Sequence, residues 1–209
     1  MSKIVVTVTG PSASGKTELV NNLCKLHGFS KLVSVTTRPP REGEVEGVEY
    51  YFISEDKFKE LKDDGKLVQE VNFNGKYYAT TAEEIDKVLA GGGIPIVIVE
   101  PGGVGQFKKA GEKFGFKVFS IYVYAPYVVL KQRFLDRLGG KNATDYDTIR
   151  LTAISKESLE WIDLLEWDLI VGNSKNDLSE IEWHSKNVVE AVDGFVVDLE
   201  KQEKVNGQS

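Results

Sequence analysis

The sequence predicts an α/β fold: a five-stranded parallel core sheet flanked by helices, with a small antiparallel insertion and a helical excursion. Three observations carry that prediction. Short β-branched runs alternate with segments of helical spacing along the 209 residues, the order that builds parallel sheets. Between the first such run and the first helix lies Gly10-Pro11-Ser12-Ala13-Ser14-Gly15-Lys16-Thr17, a complete G-x-x-x-x-G-K-[ST] loop in the strand–loop–helix setting it requires. Asn74-Gly75, between two β-prone runs, marks a two-residue hairpin that a parallel core does not contain.

Ile4-Val5-Val6-Thr7-Val8 reads as a buried strand, and Glu18–Leu23 continues as a helix. Lys31–Val35 is the next strand. Residues 36–49 are turn-rich and charged, with no hydrophobic period. Phe58, Leu61 and Leu67 frame a short helix after Ser54, and Val68–Phe73 with Lys76–Ala79 form the hairpin. Thr81-x-x-Glu84 reads as a capping box that opens a helix to about Leu89. Ile94–Val99 is a buried strand despite Pro95 near its start. A helix over 103–114, a strand over 117–124 and a helix over 127–138 follow, the last broken by Gly139-Gly140-Lys141-Asn142. A long amphipathic helix runs from Thr144 to Leu165, Leu169–Val171 is the last strand, and a final helix spans 178–192. The tail from Lys201 is polar and expected to be disordered. No internal repeat and no interdomain linker interrupts the chain. It divides into core (1–35, 82–132, 153–198), insertion (36–81), excursion (133–152) and tail (199–209).

Composition narrows the function. The net charge of −6 argues against non-specific nucleic-acid binding, so any local basic cluster has a specific anion to meet. The lone cysteine, Cys24, falls in the first helix, reads as an apolar packer and excludes an internal disulfide. The first strand opens too early for a signal segment, and no apolar run reaches spanning length, so the expected setting is the cytoplasm, with no membrane partner.

The loop's chemistry follows from its residue types. Glycines let the chain curl until backbone N–H groups converge on phosphate oxygens, and the next helix adds its positive N-terminal end. Lys16 reaches the β- and γ-phosphates of a triphosphate, and the Thr17 hydroxyl is the Mg²⁺ ligand. His27 and His184 have no carboxylate or serine constellation around them in sequence and read as structural or exposed.

A second segment is more specific. Ser34-Val35-Thr36-Thr37-Arg38-Pro39-Pro40-Arg41-Glu42-Gly43-Glu44, ending in Gly47-Val48-Glu49-Tyr50-Tyr51-Phe52, is similar to the nucleotide-acceptor segment of guanylate kinases. With the loop and with Phe73–Thr81, the resemblance runs from Val5 to Asn173. It implies a P-loop NTPase-type core whose insertion binds a nucleoside monophosphate and whose excursion is a lid. It also implies ATP and a nucleoside monophosphate as partners, Mg²⁺ as cofactor, and a monomer or homodimer.

On this resemblance Arg38, Arg41, Tyr50 and Tyr78 hold the acceptor phosphate, a role suited to planar guanidinium forks and to hydroxyls on stiff arms. Tyr51 and Tyr77, on the opposite strand face, are assigned to packing. Lys16, Arg38, Arg133, Arg137 and Arg150 are the expected catalytic cations, the last three covering the donor from the lid. Arg133 and Arg137 are i, i+4 on one helix, while Asp136, Asp145 and Asp147 are alternative partners for Arg137 and Arg150. On the resemblance Ser34, Gln69 and Thr80 face the base, while Glu100, which matches a family aspartate, either supplies acceptors to the base or orients the Mg²⁺ waters. Gln69 stands where the family usually has glutamate, and Ile98 replaces a second acid. A carboxamide accepts and donates one bond each and carries no charge, so the guanine preference of the family is the expected activity and an altered base preference (dTMP or dCMP) the alternative. Drift of that kind suits a broader or deoxy-specific member, for example a virus-encoded one. A non-catalytic guanylate kinase-like binding module is a third reading, opposed by the intact Lys16-Thr17 loop and the lid arginines.

Overall fold

The structure is a computed structural model describing residues 3–139, 144–174 and 178–206. Gly140, Lys141 and Asn142 of the expected helix break lie outside the described residues.

Five strands form a parallel sheet in the order β2-β7-β1-β8-β9: β1 (Ile4–Thr9), β2 (Phe29–Lys31), β7 (Ile94–Ile98), β8 (Lys117–Tyr124) and β9 (Leu169–Gly172). The central strand β1 is buried throughout because helices cover both faces. On one side α1 (Lys16–Leu26) and α7 (Leu178–Asn206) pack Leu19, Leu23, Val188 and Val192 against Val6, Val8 and Ile121. On the other, α3 (Ala82–Ala90) and α4 (Pro101–Phe114) pack Ile85 and Phe107 against Val5, Val97 and Val118. Register aligns Val8 with Ile98 and Ile121. The carboxyl ends of β1, β7 and β8 therefore open together, where open α/β sheets bind ligands.

The second sheet has the order β4-β3-β6-β5, from β3 (Ser34–Thr36), β4 (Tyr50–Phe52), β5 (Leu67–Phe73) and β6 (Lys76–Thr81). Asn74 and Gly75, with φ of 51° and 73°, make the β5–β6 turn that the sequence predicts. The sheet is mixed rather than antiparallel: β3 and β4 pair in parallel. A parallel return needs a connection of about a dozen residues or more, and the charged turns between Thr37 and Glu49 supply it.

Other boundaries also differ from expectation. The expected strand Lys31–Val35 is split between the two sheets. Leu32 N–H still donates to Ile96 O, but Val33 N–H donates to Glu84 Oε1, and the chain leaves the core there. Glu84 is thereby spent, so the Thr81 hydroxyl caps Glu84 N–H of α3 without the reciprocal half of a capping box. The helix expected from Thr144 to Leu165 is α6 (Asp145–Glu160), which tightens into a 3₁₀ turn at Trp161–Asp163. The final helix does not stop near 192, and the tail expected to be disordered from 199 is helical to Asn206. Val192, Phe195, Val196 and Leu199 recur at helical spacing and pack on the core.

The excursion is a helix pair. α5 (Tyr127–Arg137) meets α6 through Leu130 and Ile154, both fully buried. Ile154→Ala is expected to lower unfolding free energy by about 2–4 kcal/mol. Equilibrium denaturation checks this, and kcat should fall too because Arg150 shares that helix face.

Candidate active site

The loop between β1 and α1 has the backbone of an anion cradle. Gly10, Ala13 and Gly15 have φ of 153°, 66° and 94°. A side chain at Gly10 would meet Val123 O at 2.3 Å, and one at Gly15 would meet Asn173 Nδ2 at 2.1 Å. Glycine is required at both positions. Asn173, just beyond β9, holds the loop: its Nδ2 donates to Ser14 O at 2.8 Å, and its own N–H donates to Tyr124 O. The Ser14 hydroxyl is fully buried with no hydrogen-bond partner among the described residues. Pro11 and Ser12 complete the curve, with Ser14 N–H closing a turn onto Pro11 O at 3.2 Å.

Two of the expected cations, Lys16 and Arg133, touch this loop, in different ways. Lys16 Nζ donates to Pro11 O at 2.7 Å. Burial lowers its pKa to about 8; Arg137 and Arg150 push the same way, while Glu157 and Glu100 oppose. Arg133 donates to Ala13 O at 3.4 Å, to Asn173 O at 3.2 Å and to Asn173 Oδ1 at 3.2 Å. It therefore braces the loop from behind, whereas Arg137, one turn on, is exposed and makes no side-chain hydrogen bond among the described residues. Arg150 sits 3.9 Å from Glu157, not against the aspartates considered for it. Asp147 caps α6 with Thr144, and Asp136 accepts from Gln132.

Thr17 lies exposed in the first turn of α1, with no hydrogen bond to its hydroxyl among the described residues. No group of three or more His, Cys, Asp or Glu side chains there could hold a metal ion by itself. One free hydroxyl fits Mg²⁺ that takes its remaining oxygens from phosphates and water.

Strand register assembles the acceptor side. Residues paired across strands share a sheet face, and alternate residues do too. Ser34 pairs with Tyr50, Thr36 with Phe52 and Tyr78, Tyr78 with Val71, and Thr80 with Gln69. Ser34, Tyr50, Gln69, Tyr78 and Thr80, the expected contacts, thus lie on one face. The other face carries Val35, Tyr51 and Ala79 against Phe58 of α2 (Glu55–Asp63), and Phe58 stacks on Tyr77 at 5.0 Å. That is the packing role expected of Tyr51 and Tyr77.

Above the first face, Arg38 is held in a fork by Glu44, Nη1 to Oε2 at 2.9 Å and Nη2 to Oε1 at 2.8 Å. Its guanidinium lies 5.5 Å from the Tyr50 ring centroid, and the Tyr50 and Tyr78 rings meet edge-on at 5.7 Å. Glu44 raises the Arg38 pKa further, with Tyr78 adding to it. Glu44 also accepts Arg41 N–H at 2.7 Å, which leaves the exposed Arg41 side chain facing solvent.

The expected base contacts are unspent. Thr80 Oγ1 is buried with no partner among the described residues, and there Ser34, Gln69 and Glu100 make no side-chain hydrogen bond. Glu100 follows β7 beside the loop, where Thr9 Oγ1 donates to Val99 O and Val99 N–H to Val8 O. Ile98 packs into the core instead of reaching the cleft. Glu70, the neighbour of Gln69, accepts from Lys62 through Oε1 at 2.6 Å, and its backbone N–H donates to Gln106 Oε1 at 2.9 Å.

Sequence reasoning missed Glu44 as the Arg38 partner, and Asn173 and Glu157 as parts of the loop. Only Glu44 carried a local signal, six residues from Arg38 inside the same segment. His184, read as free of carboxylates, is buried with Nε2 3.9 Å from Glu180.

Protonated Lys16 attracts a polyphosphate and neutral Lys16 does not, so kcat/KM for the triphosphate should fall as pH rises through about 8 in the free protein. A pH–rate profile checks the sign; a profile flat from pH 7 to 10 (our chosen range, spanning the usual lysine pKa of about 10.4) would contradict it.

The sequence comparisons agree with this geometry. A guanylate kinase family model matches residues 1–192. A curated guanylate kinase of Bacillus cereus is 33% identical over 178 residues, 84% of this chain and 83% of the relative. One of Neisseria meningitidis is 30% identical over 204 residues, covering 93% and 94%. The crystal structure of guanylate kinase from Anaplasma phagocytophilum superposes with a TM-score of 0.60 at 21% identity, over 92% of this chain and 86% of that one, a likeness of fold. A donor loop on the core, an acceptor face on the insertion and a match along most of the chain lead to one conclusion: the chain belongs to the guanylate kinase family.

Proposed function

We propose that this chain transfers the γ-phosphoryl group of ATP to GMP or dGMP, giving ADP and (d)GDP. A phosphate oxygen of the acceptor attacks the γ-phosphorus in line, the bond to the β–γ bridging oxygen breaks, and ADP leaves with that electron pair. No enzyme side chain becomes covalently bound. The observation that carries the reading is a pair of cradles, each with a buried, unpartnered hydroxyl: Ser14 in the loop and Thr80 on the acceptor face.

Each group then has a task. Loop N–H groups and Lys16 hold the donor's β- and γ-phosphates; Thr17 with those phosphates would hold Mg²⁺, which neutralises charge on the transferring group. Glu44 fixes the Arg38 fork and Tyr50 and Tyr78 present hydroxyls, so the acceptor phosphate meets donors already in place. Arg41, Arg137 and Arg150 close over the anions when residues 133–152 act as a lid and water is excluded. Base selection falls to Ser34, Gln69, Thr80 and Glu100. With Gln69 and Ile98 at positions where the family carries acids, discrimination at guanine N1 and N2 is weakened, and this favours broadened base acceptance as the second reading.

A coupled assay with ATP–Mg²⁺ and a panel of NMPs and dNMPs tests the whole reading. Turnover of dTMP or dCMP above dGMP would replace the guanine assignment, and no turnover at all would favour a binding module. Arg38→Ala should lower kcat about 10²–10³-fold, as for loss of a donor at developing charge, with the thermal midpoint little changed. Gln69→Glu should raise kcat/KM for GMP about tenfold to a hundredfold by restoring a charged acceptor, and steady-state kinetics on the purified variant measures it.

A further inference from the structure

Glu157 lies on α6 two turns beyond Arg150, with buried Ile154 between them fixing how that helix face is turned. Its side chain is only 15% exposed. One carboxylate oxygen accepts Ser12 N–H at 3.2 Å, and the other stands 3.9 Å from Arg150 Nη1. It is also the acid that acts most strongly on Lys16. A loop amide and a guanidinium thus meet one anion, and that anion belongs to the protein. A carboxylate oxygen and a phosphate oxygen present the same negative, lone-pair-rich target to such donors. Both cannot occupy the same donors, because like charges a few ångströms apart repel strongly where water is scarce.

We propose that Glu157 is an internal occupant of the donor's terminal-phosphate place, seated while the loop is empty and expelled when a triphosphate arrives. Its departure releases Arg150 to the incoming phosphates, so loop occupancy and the charge state of the lid are coupled through one side chain. In the empty protein the occupant competes with stray small anions for the loop. A polyphosphate, which engages more of the loop's amides at once, displaces it. The proposal rests on the loop being the donor site.

Titration calorimetry with inorganic triphosphate, on wild type, Glu157→Gln and Glu157→Asp at low salt, tests it. The glutamine variant should bind triphosphate about tenfold more tightly, since one charge-assisted competitor is gone. The aspartate variant keeps its charge but falls one methylene short of Ser12 N–H, and should show a smaller gain. KM for ATP should fall in both variants while KM for GMP holds, a split that a merely structural role would not produce. Should the glutamine variant unfold early, the aspartate variant decides. Unchanged or weaker triphosphate binding in the folded variants, against normal binding by wild type, overturns the occupant and leaves the donor loop standing. Absence of triphosphate binding by wild type removes both.

Discussion

An anion-binding loop must stay open while empty, and a buried carboxamide meets that requirement here. In this loop a non-glycine residue in the left-handed region, Ala13 at φ 66°, costs about 1–2 kcal/mol. Left alone, such a segment would relax toward ordinary turns. Asn173 prevents this by donating to Ser14 O while its Oδ1 and main-chain O accept from Arg133. Lys16 closes the ring on Pro11 O. The loop is thereby tied to the end of β9 and to α5, two elements separated from it by most of the chain. Loop geometry and α5 orientation share one set of hydrogen bonds, so a change at either end is felt at the other.

The acceptor side obeys a different rule. A sheet has two faces, and here one is spent on packing, with Val35, Ala79 and Phe58 forming its small core. The opposite face is then free to carry mainly polar and aromatic groups, held by the strands beneath them. Rigidity matters because a guanidinium fork binds a phosphate well only if little rotamer freedom is lost on binding. Glu44 removes that freedom beforehand, and the Tyr50 and Phe52 rings flank the same guanidinium at 5.5 and 5.9 Å.

What could be read from sequence and what could not divides along contact distance. The loop, the hairpin turn and the alternation of strands are local patterns, and each matched its element. Ser34, Tyr50, Gln69, Tyr78 and Thr80 were legible through the family resemblance, and a β-strand's period of two explains why they share one sheet face. The loop's supports were not legible: Ser12 to Glu157, Asn173 to Ser14 and Arg133 to Ala13 span 145, 159 and 120 residues. Spacing rules have no reach at that range. The same limit explains Arg133, which by spacing pairs with Arg137 yet bends inward to carbonyls contributed by the loop and β9. The split of Lys31–Val35 between two sheets hinged on Val33 meeting Glu84, again a remote partner.

Charge placement closes the argument. A chain of net charge −6 must draw two polyanions into one cleft, so its overall field opposes its ligands. The remedy is local: Lys16, Arg137 and Arg150 around the loop, Arg38 and Arg41 at the acceptor face. Such clusters repel themselves: burial is the main cause that lowers the Lys16 pKa, and Arg137 and Arg150 add to it. Acids seated among them, Glu157 at the loop and Glu44 at the acceptor face, relieve that repulsion in the empty protein. The two serve opposite ends. Glu44 holds Arg38 through both guanidinium nitrogens and also binds Arg41 N–H, so it keeps a fork in shape. Glu157 holds Arg150 by one long contact of 3.9 Å and a single loop amide, so it is the weaker grip and the one an arriving phosphate can break.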